Sequence, residues 1–124
     1  MGLLSKLFGG ETIHPTPVRT VGEFRDLVLE SELPVIVDMW SPTCGPCKRL
    51  GPVLTKVATK YKDRVRVIEI DTSTAQREVL MGLNIKAVPT LILYEAGEEF
   101  HRTTGYRPPG WFDEMIATEF PAQA

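Results

Sequence analysis

Val35-Ile36-Val37-Asp38-Met39-Trp40-Ser41-Pro42-Thr43-Cys44-Gly45-Pro46-Cys47-Lys48 is the stretch whose reading decides the fold of this chain. Val35 to Met39 is a near-continuous apolar run broken by one acid, Asp38, and such runs suit a strand covered on both faces. Cys44 and Cys47, the only two cysteines in the sequence, follow where a helix is due to begin. Beyond them Cys47, Leu50, Leu54, Val57 and Tyr61 recur at spacings of 3, 4, 3 and 4, an apolar stripe that leaves Lys48, Arg49, Lys56 and Lys60 for solvent. Pro52 lies inside this pattern and predicts a kink. Two thiols three positions apart at a helix start can form and break a small-ring disulfide.

Upstream, Gly9-Gly10 and Thr12 to Pro17 read as a linker, which divides the chain into an N-terminal extension, 1–16, and one domain, 17–124. In the extension Leu3, Leu4, Leu7 and Phe8 could give one or two helical turns an apolar face, either loosely docked or used against a membrane surface or a partner. The run is too short for a secretory signal, and Lys6 occupies the place where a myristoylation pattern needs Ser or Thr. Val18 to Val21 is a candidate edge strand after Pro17. Thr20 or Gly22 could cap a helix reaching about Ser31, with Phe24, Leu27, Val28 and Leu29 on one face and Pro34 as its stop.

Downstream, Arg64 to Ile70 predicts a second central strand, and Asp71 or Ser73 a cap for a short helix containing Val79, Leu80 and Leu83. Gly82 and Asn84 fit a left-handed exit from that helix. Val88-Pro89-Thr90 opens the strand Leu91 to Tyr94, Glu95 to Glu98 form a hairpin turn, and the returning strand Glu99 to Thr104 ends at Gly105. Pro108 and Pro109 suit the first turn of a last helix, with Phe112, Met115, Ile116 and Phe120 on one face. The order β-α-β-α-β-α-β-β-α predicts an α/β fold: a central mixed sheet with helices on both faces.

A chain of 124 residues, 43% hydrophobic and 24% charged, can bury a core without staples, and a net charge of −2 gives no basic field for nucleic acid. No apolar run approaches the roughly 18 residues of a membrane span. Two cysteines without a secretory signal favour a reducing compartment, so a cytoplasmic location is expected, and there a lone CxxC is catalytic or metal-binding more often than structural. Zinc needs four ligands, and only Cys44, Cys47, His14 and His101 are on offer, in no finger-like spacing.

The thiolate is the nucleophile in disulfide exchange, and unpaired N–H groups and the dipole at a helix N-terminus favour that anion. Cys44 sits at that end, so it should be the exposed, acidic thiol. Cys47 falls on the apolar stripe, so it should be buried and protected. Gly45 lets backbone approach closely, and Pro46 stiffens the loop. Asp38 leaves two readings open. It is either an acid bonded to backbone at a strand end, or a buried carboxyl of raised pKa that takes the proton from Cys47.

Asp38-Met39-Trp40, Cys44-Gly45-Pro46-Cys47-Lys48, Pro52, Val88-Pro89-Thr90, Gly97 and Gly105 together resemble the thioredoxin family over about residues 17 to 120. The resemblance implies that family's fold, Cys44 as attacking thiol, Cys47 as resolving thiol and Asp38 as buried acid. It further implies a cis bond at Pro89, facing the two sulfurs. Val88 would pair with an extended substrate segment in an apolar groove completed by Gly45, Pro46 and Gly105, with Trp40 packed beside it. Three positions depart from the pattern. Thr43 stands where the family has a Trp before the first cysteine, Val67 where a Lys often neighbours the buried Asp, and Ala87 where a Gly usually precedes the Val-Pro-Thr run.

The expected function is reduction of protein disulfides through the redox-active disulfide Cys44–Cys47, with no bound cofactor or metal. By resemblance a thioredoxin reductase would recharge it, and a monomer is expected. A thioredoxin-fold docking module with incidental or regulatory thiols is the alternative, favoured by Thr43 and the extra N-terminal segment. An isomerase or oxidant role is a third, distinguished by redox potential.

Overall fold

The structure, a computed structural model, describes residues 10–121. The helical turns expected over Leu3 to Phe8 lie outside the described residues. Among the described residues five strands form one sheet: β1 (Thr16–Pro17), β2 (Val35–Trp40), β3 (Arg66–Asp71), β4 (Thr90–Glu95) and β5 (Glu98–Thr104), in the order β1-β3-β2-β4-β5. β1 and β2 both run parallel to β3, while β4 is antiparallel to β2 and to β5. Four helices accompany them among the described residues: α1 (Val21–Phe24), which continues into a wider π-helical turn over Arg25–Leu29, α2 (Gly45–Lys60), α3 (Arg77–Leu83) and α4 (Pro109–Glu119).

Strand alternation sorts the core into two layers. Ile36, Val67, Leu91 and Leu93 pack with Leu50, Leu54 and Val57 of α2 and Phe112 and Ile116 of α4. Val35, Val37, Met39, Ile68 and Ile70 face the other way, against Val28 at the end of the first helical segment and Val79 and Leu83 of α3. This is the α/β fold that the sequence predicts, with its mixed sheet covered on both faces. α2 runs on through Pro52, and its predicted stripe is buried at Cys47, Leu50, Leu54 and Val57, with Tyr61 half-buried at its end.

Four local expectations are corrected. β1 lies at Thr16–Pro17 rather than Val18 to Val21, because Thr20 caps α1 instead. Thr20 Oγ1 accepts from Glu23 N–H at 3.0 Å, Glu23 reaches back to Thr20 N–H at 3.0 Å, and only Val18 N–H prolongs the pairing, onto Glu69 O at 2.9 Å. Leu29 does not share the buried face: Leu27, Val28 and Leu29 are consecutive and fan around the helix, so Val28 is buried and Leu29 is 43% exposed. Asp71 and Ser73 do not cap α3. Asp71 Oδ1 accepts from Ser73 N–H at 2.8 Å and closes a turn straight after β3, leaving Gln76 at the cap position, where its side chain accepts from Val21 N–H at 2.9 Å instead of capping α3. Asn84, at φ 52°, alone makes the left-handed exit, since Gly82 lies within the helix.

The β4–β5 turn has φ of 52° at Ala96 and 79° at Gly97, a mirror-image turn whose twist suits a hairpin. Gly97 has a second reason to be glycine: a Cβ there would meet Leu29 O at 2.6 Å.

Candidate active site

β2 carries Asp38 and Trp40 and then releases the chain into Ser41-Pro42-Thr43, where Cys44 N–H donates to Ser41 O at 3.2 Å. That turn sets Cys44 as the N-cap of α2, with extended backbone (φ −97°, ψ 113°) and Pro46 in the first turn. Cys44 Sγ takes the place of a capping oxygen and accepts from Cys47 N–H at 3.2 Å. The two cysteines are joined as a disulfide, their Cα atoms 5.2 Å apart. Cys44 is half-buried and Cys47 only 5% exposed. No acid lies in the first turn of α2 to oppose a negative sulfur, and Lys48 next to Cys47 is exposed. Thr43 is exposed beside Cys44, its hydroxyl 3.4 Å from Ser41 Oγ.

Asp38 is 3% exposed, and its Oδ1 finds no hydrogen-bond partner among the described residues. That decides against an acid satisfied by backbone at this oxygen. Alternation puts Asp38 on the same face of β2 as Ile36, the face covered by α2 and therefore by the layer that holds Cys47. Burial, with Glu69 adding a like charge, pushes its carboxyl up from 3.8 to about 7. Trp40 closes the strand half-buried, and its buried Nε1 likewise has no acceptor among the described residues.

The remaining candidates come from the strand beside β2. Met39 lies opposite Thr90, so the end of β2 that leads to Cys44 lies beside the start of β4, where Pro89 sits. The Val88–Pro89 bond is cis, as the resemblance implies. Gly105, at φ 100°, donates its N–H to Pro89 O at 2.8 Å, and Thr90 Oγ1 donates to Ala87 O at 2.6 Å. Val88 is half-buried and lines a hollow of about 300 Å³ with Thr72, Leu80, Ile85, Lys86 and Ala87. Gly45 and Pro46 are exposed at the helix start.

His14 and His101 sit apart in the chain's architecture, His14 beside Thr55 of α2 and His101 on β5 facing Trp111. No group of three or more His, Cys, Asp or Glu side chains converges among the described residues. The sequence does not single out Glu69, which is in register with Asp38 on β3. Its place two residues beyond Val67 puts it on that residue's face of the strand, but only the register pairs it with Asp38.

A family model described as thioredoxin matches residues 15–118. The chain is 36% identical over 89 residues to thioredoxin 1 of Synechococcus elongatus, an alignment covering 72% of this chain and 82% of that protein. It is 34% identical over 85 residues to the chloroplastic M-type thioredoxin of Chlamydomonas reinhardtii, covering 68% of this chain and 60% of that one. In fold it is similar to the thioredoxin of Malassezia sympodialis, with a TM-score of 0.75 at 24% identity, over 90% of this chain and 96% of that one.

Proposed function

The chain belongs to the thioredoxin family and is a dithiol–disulfide oxidoreductase of the thioredoxin type, and from that premise we propose how its residues divide the work. The observation that carries the proposal is the asymmetry of the two sulfurs: Cys44 half-exposed with a helix-end N–H aimed at it, Cys47 buried one turn on.

In the reduced protein Cys44 is the thiolate, stabilised by the helix-end donor and dipole. It attacks one sulfur of a substrate disulfide. The substrate S–S bond breaks, the departing sulfur takes a proton from solvent, and a mixed disulfide joins Cys44 to the substrate. Cys47 then gives its proton to the Asp38 carboxylate and attacks Cys44 Sγ. The mixed disulfide breaks, the substrate leaves as a thiolate that takes a proton from solvent, and Cys44–Cys47 closes. Two electrons have passed from the dithiol to the substrate, carried by the cysteine pair and not by a bound cofactor. A carboxyl with a pKa near 7 suits this step, because it is partly ionised at neutral pH yet a strong enough base to accept a thiol proton.

Val88 and Gly105, with Trp40, Thr43, Gly45 and Pro46, form the surface on which an extended substrate segment lies, and Pro89 is buried between Val88 and Thr90 beneath it. A flavin-dependent, NADPH-fed thioredoxin reductase returns the electrons. The protein works in a reducing compartment such as the cytoplasm, where the pair can be recharged. It works as a monomer: β1 is two residues long and ends in Pro17, and edge strand β5 presents Glu98, Glu99 and Arg102, features that discourage strand pairing between molecules. No helix among the described residues is long and apolar enough to cross a membrane.

Reduction of insulin disulfides with dithiothreitol as electron source tests this reading. The chain accelerates precipitation of the insulin chains above the blank, and Cys44→Ser returns the rate to the blank. A variant that keeps its rate without Cys44 rules the mechanism out.

A further inference from the structure

The residue directly beside Asp38 on β3 is Glu69, paired with it in register. Both side chains leave the sheet on the face covered by α2, since Val67 and Ile36, each two residues earlier, pack there. An anion therefore neighbours the buried acid, and Val67 holds the place on the same strand where the resemblance would put a cation. Glu69 is half-buried and makes no ion pair among the described residues, while Asp38 leaves Oδ1 unpartnered.

We propose that Glu69 is a positioning residue for the thiol chemistry: from the neighbouring strand it holds a negative charge against Asp38 and so sets how firmly Asp38 keeps the proton it takes from Cys47. The inference rests on Asp38 being that proton acceptor. The groups around Asp38 leave Glu69 as the charge that matters. On β4 it faces Leu91, which is apolar. α2 turns Cys47, Leu50 and Leu54 toward the sheet and keeps Lys48, Arg49 and Lys56 exposed. Glu69 is itself pushed up by burial and by Asp71 two residues on, and drawn down by His14 on the segment before β1. His14 is exposed, so the line Asp38, Glu69, His14 leads from the buried acid toward solvent.

The experiment is a carboxyl-carbon NMR titration of Asp38 in the oxidised protein, where the thiols are silent, in wild type, Glu69→Gln and Glu69→Lys. Coulomb's law at roughly 6 Å, between effective dielectric constants of about 80 and 20, gives a fall of about 0.5 to 2 pH units for Gln and more for Lys. The acid limb of the insulin-reduction rate moves to lower pH in the same order. An Asp38 midpoint unchanged across the three proteins overturns the inference. So does an equal shift in Gln and Lys, because a merely structural role is blind to the sign of the charge. Asp38→Asn separates this from the underlying reading. If its rate–pH profile matches wild type, Asp38 takes no proton and the functional half of the inference goes with it, whatever the titrations show.

Discussion

Replacing Asp38 by Asn should make the protein less dependent on pH and, above neutrality, more stable. Asp38 is held at about 7 in the folded protein against 3.8 for an ordinary aspartate, so the native state binds a proton that the unfolded chain has already lost. Between those two values the native state holds more protons than the unfolded one, and stability falls as pH rises. Below 3.8 both states are protonated and nothing is lost; above about 7 the full cost is present. The gap from 3.8 to about 7, at about 1.4 kcal/mol per pH unit, amounts to about 4 kcal/mol, of which about 3 falls between pH 5 and 8. That is a large part of a typical total of about 5–15 kcal/mol. The assay is urea unfolding of the oxidised protein at pH 5 and pH 8, wild type against Asp38→Asn. An amide that lacks partners brings its own cost of about 1–3 kcal/mol, but equally at both pH values. The diagnostic is therefore the difference between the two pH values, about 3 kcal/mol in wild type and much smaller in the variant. Glu69, also raised, leaves a residual slope of the same sign. Glu23, Glu99 and Asp113 are lowered, so their contribution is lost only as pH falls through the acid range below this window. Equal pH dependence in the two proteins would refute the argument that burial holds Asp38 protonated.

The reduced protein, treated with limiting iodoacetamide at neutral pH and read by peptide mass, should be alkylated at Cys44 well before Cys47; equal labelling would remove the asymmetry on which the mechanism stands. Gly97→Ala should lower stability by about 1–3 kcal/mol or more in urea melts, because the turn has φ of 79° and the new methyl would meet Leu29 O at 2.6 Å. Gly51→Ala, in α2 with nothing within 4 Å of the new Cβ, should do the opposite by about 0.5–1 kcal/mol. Thr43→Trp adds apolar contact surface beside Cys44 and should lower KM for insulin several-fold with little change in kcat; an unchanged KM would show that this position does not touch substrate.

What the sequence made legible follows from what periodicity encodes. The α2 stripe, the buried run of β2 and the apolar face of α4 are repeated patterns, and each falls where its period puts it. Two of the misplacements involve a single polar residue choosing between local partners. Thr20 caps a helix instead of extending a strand, and Asp71 closes its own turn instead of capping α3. Spacing does not rank such choices, which differ by about the worth of one hydrogen bond. In the site, Cys44, Cys47 and Asp38 were visible as residues out of keeping with their surroundings. Glu69 was not, because a Glu in an alternating strand reads as a solvent-facing residue until the register places it beside a buried acid.

The same register explains why one strand can serve both stability and chemistry. Among the five described strands β2 is the middle one, with parallel β3 on one side and antiparallel β4 on the other, so it is enclosed on both flanks. Five of its six residues are buried, and any ionisable group on it is desolvated from both flanks and from the helix above. Its C-terminal end, by contrast, opens at the helix start that carries Cys44 and beside the start of β4 that carries Pro89. A carboxyl two residues back from that end is deep enough to hold a proton near neutral pH and is in the layer of the thiol that must lose one. Moved one position along the strand, it would enter the opposite layer, against Val28 and Val79 and away from α2. The stability cost of Asp38 and its basicity are thus one quantity measured in two ways. A change that relieves the first, whether at Asp38 itself or by removing the charge of Glu69, must weaken the second by a matching amount.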